Sequence, residues 1–175
     1  MATIVKAAAI VAVVVLVALL VPANGRAVSI VRARTAESNL VTRINAVRER
    51  HALQRLRVIS RLRSAAVDHA KVMATHGYFS HDWWTGAPYA TWIRWYYPGS
   101  GYRWWRAGEN LYWSSATPTM RGVVRAWMRS AGHRANLLGR WRQLGVSAIR
   151  VANPTGVYRP FGRVTIVTAE FGSRG

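Results

Sequence analysis

The chain has 175 residues and a formal net charge of +19, from 25 Lys+Arg against 6 Asp+Glu. Its length holds one ordinary domain, and a hydrophobic fraction of 51% excludes a disordered basic tail. The absence of cysteine excludes a disulfide scaffold, a Cys-ligated zinc site, an iron–sulfur cluster, a Cys nucleophile and a lipid anchor on an N-terminal cysteine.

Lys6 precedes an apolar run from Ala7 to Val21, followed by Pro22, Ala23, Asn24 and Gly25. A short positive stretch, about 15 apolar residues and a small-x-small site form the pattern of a secretory signal peptide over residues 1–25. The alternative is a retained anchor, but the run is short of the ~20 residues that span a bilayer. Cleavage would lower the charge from +19 to +18, because Lys6 is the one charged residue lost. Either way the rest of the chain is exported, and no later stretch is long and apolar enough to span a membrane.

Residues 26–37 read as a basic lead-in, and residues 38–175 as the domain. From Ser38 the pattern is helical, with Leu40, Ile44, Val47 and His51 on one stripe. Leu62, Ala66, His69 (or Ala70) and Met73 mark a second helix that ends near His76-Gly77, where glycine suits a C-terminal cap. Residues 78–106 are rich in Trp and Tyr and punctuated by Gly and Pro, which predicts a loop with one helical turn at 90–96. Glu109–Ser114 reads as a short strand. Thr117-Pro118 reads as an N-cap and first helical residue, opening a helix through Val123, Val124, Trp127 and Met128. Gly132 is expected to break it, with a further turn over His133–Leu138. Leu144–Val151 and Arg163–Phe171 read as strands, separated by the turn signal Asn153-Pro154-Thr155-Gly156. This order predicts an α+β fold with antiparallel strands.

Acids are scarce enough to take one at a time. Glu37 suits a first helical turn. Glu49 lies between Arg48 and Arg50 as a surface pair. Asp68 lies beside the His69 stripe, Asp82 in the aromatic loop and Glu170 in the last strand. Glu109 stands at the entry to a strand, where a carboxylate close to imidazoles serves as general base or metal ligand. His51 and His69 continue helical stripes and read as packing or helix-end residues; His76 suits a helix end. His81 and His133 sit at element boundaries, where an imidazole can face a cavity. Spacing alone does not tie His81, Glu109 and His133 together.

Their sequence frames do. Leu40-Val41-Thr42-Arg43-Ile44-Asn45-Ala46-Val47-Arg48 resembles the first helix of the CAP superfamily, the SCP-like, cysteine-rich secretory, antigen 5 and PR-1 proteins. Ala70-Lys71-Val72-Met73-Ala74 with Tyr78-Phe79-Ser80-His81 resembles the second helix and first histidine of its secreted bacterial branch. Ala107-Gly108-Glu109-Asn110-Leu111 resembles its G-E-N segment, and Trp127 to Leu138 its W-x-x-S-x-G-H-R-x-N-L-L segment. Leu144-Gly145-Val146 and Glu170-Phe171-Gly172 resemble its closing strands. The likeness covers about residues 38–172.

The resemblance implies a three-layer α-β-α sandwich with a central antiparallel sheet, here without disulfides. It also implies a cavity lined by two His and two acids that holds a divalent metal in some members. By position, His81, Glu109 and His133 match three of the four. The fourth acid belongs near Ser130, and no Asp or Glu occurs from 110 to 169. The implied cofactor is a divalent metal such as zinc on His81 and His133 with Glu109. Asn110, Arg134 and Asn136 match motif positions as hydrogen-bonding, loop-fixing residues.

Only Lys6 and Lys71 are lysines, so the positive charge is almost all guanidinium. Guanidinium binds planar anions as a fork and stacks on aromatic faces. Trp92, Trp95 and Trp127 read as packing. Trp83-Trp84 and Trp104-Trp105 are adjacent pairs, so both members of a pair are not expected to be buried on one side. With Arg103 and Arg106 they form either a stacked loop or a face for sugars, lipid headgroups or bases. A charge this high raises nucleic acid as a partner. Export sets it aside in favour of wall polymers, acidic glycans and membrane headgroups. The leading expectation is therefore an exported, non-enzymatic domain that binds cell-envelope ligands. The alternatives are a metal-assisted hydrolase using the same cavity, and a lipid or sterol carrier, a role that some CAP proteins perform.

Overall fold

The structure, a computed structural model, describes residues 26–175. The expected signal peptide over residues 1–25 lies outside the described residues. Strand β1 (Ser29–Arg32) leads into helix α1 (Arg34–Arg50), a two-residue strand β2 (Arg57–Val58) and helix α2 (Ser60–His76). Then come α3 (Tyr89–Tyr96), β3 (Trp105–Ser114), α4 (Met120–Arg129), α5 (Ala131–Leu138), β4 (Gln143–Ala152) and β5 (Arg163–Arg174). A 3-10 helix, Gly156–Phe161, joins the last two strands.

The sheet runs β1-β4-β5-β3 with antiparallel neighbours, and β2 adds a short parallel pairing to β4. Helix α2 lies on one face and carries α3. Helices α1, α4 and α5 cover the other. Strands β4 and β5 are thus covered on both faces, which is why Leu144–Ile149 and Val164–Ser173 are buried at successive positions instead of alternating. This is the expected α-β-α sandwich.

Each helix buries the stripe that its sequence announces. Leu40, Ile44 and Val47 of α1 meet Val123, Val124 and Trp127 of α4 over Val146, Val167 and Phe171. Ala70 and Met73 of α2 meet Leu111, Ile149 and Ile166 on the opposite face. Leu62 and Ala65 pack with Trp92, Ile93 and Tyr97 of the α3 region. In a chain without cysteine, these three clusters replace covalent staples; each buried aliphatic side chain contributes about 1.5–3 kcal/mol. The α2–sheet contact is very close at Gly145, where a Cβ would stand 2.0 Å from the Leu62 carbonyl carbon. Only glycine fits there. Gly77 ends α2 in the left-handed region at φ 67°, its N–H donating to the Met73 carbonyl.

Several boundaries differ from expectation. The basic lead-in is part of the domain, because Ser29–Arg32 pairs with Ile149–Ala152 and α1 starts at Arg34. Arg32 then forks onto Glu37 at 3.0 and 2.6 Å, tying β1 to α1. His51 falls just past α1 and is exposed. The cap of α4 is Thr119, whose Oγ1 accepts the Gly122 N–H at 3.1 Å; the buried stripe begins at Met120, which moves the helix start past Pro118. The break after α4 is Ser130, extended at ψ 124°, and Gly132 lies inside α5.

Candidate functional site

The site forms where β3 and β5 meet α2. Register places Glu109 of β3 directly opposite Glu170 of β5. Leu111 and Ile166 face α2, and a strand repeats its facing every two residues, so both acids point the same way. His69 projects from the buried stripe of α2 and brings Nδ1 to 2.6 Å from Glu109 Oε1. His81, in the loop after α2, brings its Nδ1 to 2.6 Å from Glu109 Oε2. A carboxylate only accepts, so each imidazole donates from Nδ1.

Glu109 is thereby a buried carboxylate with both oxygens engaged. Burial pushes its pKa up, but the hydrogen bonds from His69 and His81 outweigh burial and hold the pKa below the usual carboxylate range. Glu170 goes the other way. Burial and then the adjacent Glu109 charge push it well above its ordinary value. Tyr89 OH donates to Glu170 Oε2 at 3.0 Å, while Glu170 Oε1 is buried without a partner among the described residues.

The one solvent-facing imidazole bonded to this cluster is that of His81, whose side chain is 51% exposed against 1% for Glu109. The hydrogen bond to Glu109 raises its pKa against the opposing pull of burial. Its backbone is fixed by Trp92, whose indole N–H donates to the His81 carbonyl at 2.8 Å. His133 reaches the same region from α5 and is lowered by burial and then by the His81 charge. Asn110 and Asn136 fix this edge. Asn110 Nδ2 donates to the His133 carbonyl at 3.0 Å, and Asn136 Nδ2 to the Glu109 carbonyl at 2.8 Å. Arg134 is exposed.

His81, Glu109 and His133 therefore share one region, but their donor atoms do not converge as a ligand set. Among the described residues, the set whose donor atoms lie within 4.8 Å of one another is His69, Glu109 and Glu170, all buried. That set does not fit zinc through His69 Nδ1 and Glu109 Oε1 as they stand. Two ligands of one tetrahedral ion at about 2.0–2.1 Å are about 3.3 Å apart, whereas His69 Nδ1 and Glu109 Oε1 are 2.6 Å apart, a hydrogen-bond distance. With Glu109 spent on two imidazoles, His81 and His133 offer nitrogen donors without a carboxylate oxygen.

Sequence reasoning missed two members. His69 was expected to pack, and it is packed, with Trp83 stacked at 5.7 Å and Trp92 at 4.5 Å, but it is also a direct partner of Glu109. Its Nε2 is buried without a partner among the described residues. Glu170, read only as a residue of the last strand, is the second carboxylate of the cluster, while the position near Ser130 holds none. The usable signal was a titratable residue on an otherwise apolar stripe: His69 among Leu62, Ala66 and Met73, and Glu170 after Val164, Ile166 and Thr168.

The tryptophan pairs split as expected, one member in and one out. Trp83 is half-buried on His69; Trp84 is 51% exposed and stacks on His76 at 4.1 Å. Trp105 is half-buried, with the Arg94 guanidinium 3.9 Å above its ring and its indole N–H on the Tyr97 carbonyl. Trp104 is 41% exposed, flanked by Arg106 at 5.8 Å and Arg142 at 5.6 Å. Arg103 is exposed beside it. Arg106 also lies 5.1 Å from the Trp141 ring. Trp104, Arg106, Arg142 and Trp141, with Arg140 and Arg48, line a cleft of about 310 Å³. The arginine–carboxylate pairs among the described residues are Arg32–Glu37 and Arg55–Glu49, both outside that cleft.

A family model described as CAP, the cysteine-rich secretory protein family, matches residues 41–169. No curated protein matches the chain significantly. Among solved structures, an outer surface protein of Borrelia burgdorferi superposes with a TM-score of 0.68 at 18% identity, over 84% of this chain and 98% of that one. An extracellular protein of Bacillus anthracis containing an SCP domain gives 0.56 at 29% identity, over 79% of this chain and 40% of that one. A cysteine-rich secretory protein of Staphylococcus aureus gives 0.54 at 17% identity, over 79% of this chain and 38% of that one. The chain thus spans about two fifths of the latter two. No helix among the described residues is long and apolar enough to cross a membrane.

Proposed function

The chain belongs to the CAP (cysteine-rich secretory protein) family, and from that premise we propose that it is an exported domain that binds anionic material of the cell envelope. Export is supported by Lys6 and the apolar run behind it, and by likeness to the Bacillus anthracis protein described as extracellular. The observation that carries the binding reading is the contrast between the two candidate surfaces. The Glu109 cluster is closed, its carboxylate buried and bonded on both oxygens. The arginine–tryptophan face is open, cationic and without a carboxylate in its cleft.

The test is retention of the purified protein on purified envelope polymer and on a neutral polysaccharide. Retention on the anionic polymer alone supports the reading; equal retention on both overturns it.

A hydrolase is the second reading, favoured by one observation. His81 and His133 share a region, yet Glu109 raises the pKa of the first while burial and the His81 charge lower that of the second. Groups pushed apart in this way serve as acid and base. In that reading His81 and His133 move protons, and Glu109 orients His81 through Nδ1 while its own buried oxygens stay off the substrate. Loss of peptide or ester cleavage in His81→Ala, with the fold intact, would support it; unchanged turnover would remove His81 from the chemistry.

A further inference from the structure

One cleft of this basic surface differs from the others in charge. It measures about 430 Å³ and is bordered by His76, Tyr78, Ser80, Asp82, Trp83 and Trp84, at the end of α2 and in the loop after it, with no lysine or arginine in its lining. Four other clefts are each lined by at least two arginines and by no acid.

The aromatic wall of this cleft is in place before any ligand arrives. Gly86, at φ 87°, lets the chain turn so that its N–H donates to the Trp83 carbonyl at 2.7 Å. The Trp83 N–H donates to the Ala87 carbonyl at 2.9 Å. Ser80 Oγ accepts the Asp82 N–H, and Asp82 Oδ1 accepts the Tyr89 N–H, both at 3.1 Å. On this pinned loop Trp84 lies parallel to the His76 ring, 4.1 Å away and tilted by 6°. His76 covers one face of the indole, so the exposed part is its other face and its edges. Trp83 is held in a similar way, stacked on the buried His69 at 5.7 Å.

These groups select a ligand by exclusion. An anion would meet the Asp82 carboxylate and no guanidinium. A cation would have one exposed, solvent-screened carboxylate to set against the field of a chain with a formal charge of +19. An uncharged ligand meets neither cost. It must also suit both parts of the wall: an apolar face for Trp83 and Trp84, and hydroxyl groups for His76, Ser80 and the acceptor-only carboxylate of Asp82. A pyranose ring has both, with C–H bonds on its face and hydroxyls around its rim.

We propose that this cleft binds one uncharged sugar unit of an envelope glycan. The ligand is neutral and the surface is separate from the arginine–tryptophan cleft, so the proposal goes beyond the ionic reading above and shares with it only export. One sugar stacked on one platform binds with a Kd on the order of 1 mM, too weakly to hold the protein on a polysaccharide column.

The test follows the indole N–H signals by NMR during titration with two uncharged oligosaccharides, a β-linked tetramer of N-acetylglucosamine and cellotetraose. Adenosine and phosphatidylcholine vesicles are titrated as competing ligand classes. The expected result is saturable binding of at least one oligosaccharide, with equal affinity at about 0.05 M and about 0.5 M sodium chloride. Trp84→Ala should weaken that binding about tenfold or more, with partial recovery in Trp84→Tyr, while Tyr102→Ala, which alters an exposed aromatic outside the cleft, changes it less than about twofold. No binding of either oligosaccharide up to about 20 mM, or equal losses in Trp84→Ala and Tyr102→Ala, would overturn the cleft as a sugar site. Tighter binding of adenosine or of vesicles would overturn sugar as the ligand class, and affinity that falls steeply with salt would overturn neutral recognition. Failure of the unaltered protein to stay on anionic polymer would strike the ionic reading and leave this one standing, which keeps the two failures apart.

Discussion

Glu109 and Glu170 stand opposite each other on adjacent antiparallel strands, both buried, and their pKa values are driven in opposite directions. The shifts run toward one carboxylate and one neutral acid. Two negative charges side by side in that interior would repel and lack water; one charge is held by two imidazoles.

Glu170→Gln tests this division. Glu170 has a folded pKa above its unfolded value, so the unfolded chain releases that proton first as pH rises. Stability from the neutral acid is full below the ordinary carboxylate pKa and is lost as pH climbs toward the raised folded value. Glutamine has no such dependence. Melting temperatures from about pH 5 to about pH 8 are expected to show the variant gaining on the unaltered protein as pH rises. Parallel curves would contradict a protonated Glu170.

His81 carries the opposite linkage to Glu109. Its raised pKa stabilises the fold below the ordinary histidine value, and that contribution is lost as pH rises through the raised value. Glu109, lowered, contributes above the ordinary carboxylate value and loses that contribution as pH falls through its lowered one. NMR titration should find the His81 pKa falling toward 6.5 in Glu109→Gln. A His81 pKa that stays in place would show that Glu109 is not its main perturber.

Removing Glu109 outright should cost stability. Glu109→Ala leaves the buried His69 Nδ1 without its partner at 2.6 Å. The expected loss is about 2–4 kcal/mol by urea denaturation, mostly from the stranded donor. A loss under about 0.5 kcal/mol would mean that the buried pair is not formed in solution.

Gly145→Ala should damage the fold at the contact between α2 and the sheet, beside Glu170, which Gly145 faces in register. Its Cβ would meet backbone atoms of Leu62 and Arg63 at 2.0 and 2.2 Å, and backbone cannot swing aside as a side chain can. The loss is expected to exceed the roughly 1–3 kcal/mol of ordinary overpacking. Unchanged urea stability would show that α2 lies farther from β4.

Much of this was legible in the sequence, and the exceptions have physical causes. Stripes such as Leu40, Ile44 and Val47 are local, so α1, α2 and α4 could be read directly. The strands β4 and β5 and the turn between them could be read for the same reason. Strand β1 could not, because Ser29–Arg32 is short and basic and gains its conformation from β4 alone. Glu109 was singled out by its motif frame, but the choice of Glu170 as its neighbour is made by strand register, which joins residues 61 positions apart. His69 was read as packing because packing is half of its role. The cleft was half-visible: Trp104 and Arg106 stood out as a face, whereas Arg48, Arg140, Trp141 and Arg142 join them only through α1 and the approach to β4.

The central claim is that an open arginine–tryptophan face, with no acid of its own in the cleft, binds anionic envelope polymer. The most direct measurement is retention of the purified protein on purified envelope polymer as sodium chloride rises from about 0.05 M to about 0.5 M. Ionic binding predicts that retention falls steeply across that range, because screening shortens the reach of every guanidinium. Retention that is unchanged at the highest salt would contradict it.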